Sequence, residues 1–158
     1  KGLTAMQFAL FFAANAGLQV LLSLLNARLV GRFRPENLML GGMIGTSGAV
    51  AVLSIGVFAL GTPLILTCVG FVLLVGSQAF IMGNAGALAV REALHLAGAA
   101  SAVQGVATAL AMGLGAPLAS AGGGTSAVPM VLVMLFGVAA SWTCYLALAR
   151  PSLRPTIN

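Results

Sequence analysis

Long apolar runs broken by short polar or basic stretches organise this chain. Five runs are long enough to cross a bilayer as helices, which takes about 20 mostly apolar residues each. They lie near Leu3–Ala27, Asn37–Leu60, Pro63–Val90, Ala97–Ala119 and Val128–Ala149. The breaks between them are Arg28–Glu36, Gly61–Thr62, Arg91–Leu96 and Ser120–Ala127. Pro63 is expected in the first turn of the third helix, where a missing N–H costs nothing. The glycine-rich stretch 120–126 is too flexible and too poor in apolar side chains to continue the fourth. The pattern predicts an all-α integral membrane protein with five spans.

Composition sharpens this picture. Hydrophobic residues make up 60% of the chain and charged residues 6%, with a mean hydropathy of +1.11. A soluble domain carries about 25% charged residues because it faces water all round. The stretch 37–90 has no charge at all. Lipid-exposed helices tolerate that because their backbone polar groups are satisfied internally. The net charge of +5 does not point to nucleic acid, since the basic residues are few, dispersed and set between apolar runs. Cys68 and Cys144 fall inside apolar runs and read as small core residues. The first run is too long for a signal peptide and ends in arginine rather than a cleavage site. A start at Lys1 rather than Met is expected of a fragment.

Charge also orients the spans. Threaded up and down, they place Arg28, Arg32, Arg34, Arg91, Arg150 and Arg154 on one side. Only Lys1 lies on the other. Positive charge stays cytoplasmic, so the segment is expected to begin outside and end inside. Tyr145, near Arg150, fits an interfacial aromatic, and Trp142 lies deeper, where packing alone accounts for it.

Amides at bilayer depth need partners or a wet cavity. They are unevenly placed. The first span has Asn15, Gln19 and Asn26, the third Gln78 and Asn84, the fourth Gln104. The second and fifth have none in their interiors, so these two are expected outside, facing lipid or only packing. Asn15, Gln19 and Asn26 are four and seven residues apart and share one helical face, with Phe8 and Phe12 near it. An aromatic-and-amide stripe suits an amphiphilic ligand; the alternative is interhelical hydrogen bonding alone. Ser101, Gln104 and Thr108 share a face of the fourth span, and Gly105, Ala109 and Gly113 form a small-residue run suited to close packing. Gly83-Asn84-Ala85-Gly86 is either a kink beside a substrate site or a close helix crossing.

Enzyme chemistry finds no support. There is no Ser/His/Asp set, no metal-ligand spacing and no phosphate loop. The Gly/Ala/Ser pattern of the fourth span lacks the preceding strand that a nucleotide motif needs. His95, the only histidine, sits in the third connection and reads as a solvated residue. Arg91 and Glu92 can pair locally, a contact worth little when exposed. Neither a cofactor nor a metal is expected.

Three stretches resemble a known family. Phe8-Ala9-Leu10-Phe11-Phe12-Ala13-Ala14-Asn15-Ala16-Gly17-Leu18 and Asn26-Ala27-Arg28-Leu29-Val30, continuing into Gly31-Arg32-Phe33, resemble a helix and basic loop of major facilitator superfamily (MFS) transporters. Within that superfamily they are similar to the bicyclomycin-resistance (Bcr/CflA) drug-efflux family. Asn84-Ala85 with Ala87-Leu88-Ala89 resembles its next polar helix, and Ala97-Gly98-Ala99-Ala100-Ser101-Ala102 with Gly105 its Gly-x-Ala-Ser-Ala signature. Gly83 stands where that family has proline, and Arg34-Pro35-Glu36 where it has a glycine.

The resemblance implies an MFS-type transmembrane helix bundle of which this chain is a partial C-terminal half, helices eight to twelve. Helices eight, ten and eleven would line the cavity. The expected activity is proton-coupled export of drugs or other small amphiphilic molecules across a bacterial inner membrane. Cavity residues would be Phe12, Asn15, Gln19, Asn26, Asn84, Ser101 and Gln104, with Arg28 and Arg32 in a cytoplasmic gate. The partners would be the lipid bilayer, a small-molecule substrate, protons and the missing N-terminal helices, and not nucleic acid. The rival readings are a metabolite importer or exporter of the same fold, and a non-transporting membrane scaffold.

Overall fold

The computed structural model describes residues 4–92, 94–123 and 126–149. It is built of helices: α1 Ala5–Leu29, α2 Pro35–Phe58, α3 Leu64–Glu92, α4 Ala97–Ser120 and α5 Val128–Cys144, the last continuing as a π-helical turn Tyr145–Ala149. A 3-10 turn, Leu94–Leu96, joins α3 to α4. All five long helices have the length and apolarity needed to cross a membrane, which is the make-up of a multi-pass membrane protein. The expected spans match these helices to within a few residues. Pro63 falls just outside α3, where its carbonyl accepts from the Thr67 N–H at 3.1 Å.

Local chemistry fixes the helix ends. Thr4 and Gln7 form a reciprocal capping box at the start of α1. Pro35 opens α2 and Pro129 stands in the first turn of α5, positions that lose no intrahelical bond. Between α2 and α3 the chain reverses through Gly61 (φ +66°) and Thr62 (φ +62°). Glycine enters this left-handed region freely, whereas a β-branched threonine is strained there. The Thr62 N–H donates to the Gly56 carbonyl at 2.7 Å and holds the turn.

The helices run up and down, and one close crossing organises them. α2 and α3 lie antiparallel at glycine-mediated distance. A Cβ on Gly42 would stand 2.8 Å from Ile81 Cγ1 and 3.0 Å from the Ser77 carbonyl oxygen. A Cβ on Gly45 would collide with Ser77 Oγ, and one on Gly70 with the Leu53 side chain. Lipid tails are as apolar as leucine, so such close packing, rather than a hydrophobic drive, holds membrane helices together. α1 packs parallel to α3, and α5 packs against α2 and α4.

The second span does not lie outside, against the expectation from its lack of amides. α2 is the most buried helix of the five, with Met43, Ala49, Val50 and Leu53 all inside. Amide content was the wrong guide, because α2 is held by glycines, which carry no polar signal. α1 and α4 are the outer ones. α1 buries only Asn15 and Asn26, and α4 buries nothing. The small-residue run of α4 likewise meets no neighbour: a Cβ on Gly105 or Gly113 would have open space around it.

Gly42→Leu should lower stability by about 1–3 kcal/mol, the usual cost of overpacking a tight contact. Gly48→Leu, at a position with nothing within 4 Å of a Cβ, should be neutral or better. Unfolding followed by circular dichroism as SDS is titrated into detergent micelles checks both.

Candidate functional site

α3 carries an asparagine at its most enclosed point, and α1 brings another to meet it. Asn84 is 1% exposed. Its Nδ2 donates to Asn26 Oδ1 of α1 at 2.8 Å and to the Phe80 carbonyl one turn back at 2.7 Å. Its Oδ1 is buried without a hydrogen-bond partner. A polar amide at this depth is costly unless paired, so the pair fixes the register of α1 on α3.

Glycines on α3 make room for the amides that converge on it. Gly83 and Gly86 are three residues apart and neighbour each other on one face. A Cβ on Gly83 would lie 3.1 Å from Asn26 Nδ2, and one on Gly86 would lie 3.4 Å from Gln104 Nε2 of α4. α3 stays helical through the whole Gly83–Gly86 stretch. Of the two readings of these glycines, the structure therefore shows the close crossing.

A groove of about 460 Å³ opens beside the asparagine pair. Gln19, Ser23, Asn26, Met82 and Asn84 are among its lining residues. The structure thus brings together four of the candidate residues, Gln19, Asn26, Asn84 and Gln104, around the second half of α3. Gln19 and Gln104 make no hydrogen bond among the described residues, so their amides are free to bind. Asn15 is buried about three turns from Asn26, donating to the Phe11 carbonyl at 3.0 Å. Phe12 is 60% exposed and stacks with Phe8 at 4.8 Å between ring centroids. Ser101 is exposed on α4 and makes no side-chain hydrogen bond among the described residues. Arg28 and Arg32 are exposed and form no ion pair among the described residues.

Two features escaped the sequence reading. Glu36, placed there in a loop, belongs to the first turn of α2 and is buried. Its carboxylate receives a hydrogen bond from Arg91 Nη2 at 2.9 Å and lies 3.6 Å from Arg34 Nε. Arg91 thus reaches across to α2, and the pair ties α2 to α3 at the arginine-rich end. The signal was an acidic residue after proline in a helix's first turn, but its partner, 55 residues away, has no sequence signature. Trp142 does more than pack: its Nε1 donates to Ser47 Oγ of α2 at 2.9 Å. His95 is exposed in the turn before α4, as the sequence implied; Cys68 and Cys144 are free thiols, half-buried and exposed respectively rather than core residues.

Comparison with protein families, curated proteins and solved structures finds no match for this chain.

Asn26→Leu and Asn84→Leu should each destabilise the helix packing, and the pair should be coupled. A double-mutant cycle in micelles should return about 0.6 kcal/mol, the typical worth of such a membrane contact, and up to about 1.7 kcal/mol at most. Additive losses would mean that the two amides do not act together.

Proposed function

We propose that this chain is the C-terminal portion of an MFS-type transporter, akin to the bicyclomycin-resistance drug-efflux family, and that it moves small amphiphilic molecules by alternating access. The observation that carries this reading is the pair of unspent amides, Gln19 on α1 and Gln104 on α4, flanking the Asn26–Asn84 contact on α3. Those are the three helices that the resemblance assigns to a cavity. Polar anchors among apolar walls suit amphiphilic cargo, and among the described residues no charged one lines the groove.

The outward faces of α1 and α4 fit the same reading. They carry large apolar side chains such as Phe12, Val103 and Leu114, and beside them lie the free amides. Alternating access needs a second bundle to rock against, and these two helices offer it a surface. The arginine-rich end would be cytoplasmic and the membrane a bacterial inner membrane. Glu36, the one described acidic side chain, is spent on arginines, so a proton-coupling carboxylate would come from the other half. No step here calls for an enzyme or a cofactor.

The direct Asn26–Asn84 bond favours a packing role for those two residues, which shifts substrate contact to Gln19 and Gln104. In the transporter expressed whole, Gln104→Leu should change which drugs are exported, by severalfold in protection, while membrane levels stay near normal. Asn15→Leu should do the same more weakly. Drug-susceptibility profiles with immunoblots of the membrane fraction check this. Loss of both variants from the membrane, with Ser variants retained, would make the amides structural and sink the cavity reading.

A further inference from the structure

A second cavity, of about 300 Å³, lies among α2, α3 and α5. It shares no lining residue with the groove beside Asn84. Its apolar walls include Met43, Val50 and Ile81. Its polar groups are Thr46 and Ser47 of α2, Gln78 of α3, and Ser141 and Trp142 of α5. No charged residue lines it.

The hydrogen bonding of these groups is uneven. Ser47 is engaged both ways, since its hydroxyl donates to the Met43 carbonyl at 2.9 Å and accepts from the Trp142 indole. That pair of bonds holds the indole as a rigid wall. The Thr46 hydroxyl is buried with no partner. The Gln78 amide makes no hydrogen bond among the described residues. Thr46 and Gln78 stand at the midpoints of their helices, where the bilayer offers no water to satisfy them. A buried hydroxyl left without a partner is costly. A bare apolar filler would leave that cost in place.

We propose that this cavity is a binding site, separate from the transport groove, for an uncharged molecule of about one aromatic ring bearing a hydroxyl. The volume has room for it, since a cavity of about 150 Å³ already holds benzene and this one leaves space for a ring's substituents. The neutrality follows from the absence of any ionised lining group, and the hydroxyl from the free Thr46 and Gln78 groups. Such a molecule donates to the Gln78 carbonyl or accepts from its amide, while its ring packs on Met43, Val50 and the indole. The site does not depend on the transporter reading, since it lies wholly within this chain.

Trp142 is the only tryptophan of the chain, so in lipid vesicles holding no other protein the fluorescence comes from this one cavity-lining indole. There, 4-bromobenzyl alcohol should quench it saturably, because bromine quenches at contact range. Gln78→Leu and Thr46→Val, each with an unshifted emission maximum, should weaken the apparent affinity on the order of tenfold. On the unaltered chain, 4-bromotoluene, which lacks the hydroxyl, should quench only in proportion to its partitioning into lipid. Equal saturable quenching by 4-bromotoluene would overturn the proposal. So would quenching chiefly by phospholipid brominated on its acyl chain, which would make the cavity a seat for lipid. Linear quenching by the alcohol would leave only membrane partitioning and overturn it as well.

Discussion

The rest of the bundle hangs on the close antiparallel crossing of α2 and α3. Gly42 and Gly45 bring α2 so near that Ser77 and Ile81 fill the space their side chains would occupy. In lipid this contact has no hydrophobic effect behind it, only dispersion and the absence of voids. The ends are then closed by different means. Gly61 and Thr62 reverse the chain at one end, and the buried Glu36 receives Arg91 at the other. With α3 fixed, its remaining surface becomes the platform that α1 and α4 read.

That platform explains how polar groups are handled. Asn84 and the two glycines on α3 let amides from α1 and α4 approach closely. Asn26 is consumed by its bond to Asn84, whereas Gln19 and Gln104 remain unspent. The hydroxyls of Ser54, Ser77 and Thr143 are settled more simply, each donating to a carbonyl four residues back. The bundle therefore separates satisfied polar groups from free ones. Among the free ones, Gln19 lines the groove beside Asn84, Gln104 approaches Gly86 of α3, and Thr46 and Gln78 line the cavity beside Trp142.

Hydropathy made the helices legible because bilayer thickness sets span length directly. The amide pattern of Asn26, Asn84 and Gln104 was legible for the same reason, since polar groups at depth must converge. Burial was not. The sequence puts glycines both on α2, where Gly42 and Gly45 are packed, and on α4, where Gly105 and Gly113 face open space. Only the identity of the neighbouring helix separates the two cases, and that is a long-range fact. The Glu36–Arg91 and Ser47–Trp142 contacts were hidden likewise, being 55 and 95 residues apart in the chain. A local pattern shows that a charge or an indole is present, but not what it meets.

On this reading the free amides of α1 and α4 line a water-filled path rather than lipid. Thiol accessibility tests it most directly. With Cys68 and Cys144 replaced by alanine, Gln19→Cys, Gln104→Cys and Ile44→Cys are introduced singly into membranes. Ile44, a 61% exposed apolar residue on α2 that lines neither the groove nor the cavity, serves as the control. A membrane-impermeant, charged thiosulfonate should modify the cysteines at positions 19 and 104 and leave the one at 44 untouched, since the reagent needs ionised thiolate and water. If positions 19 and 104 are as inert as 44, the amides face lipid or protein and the account is contradicted.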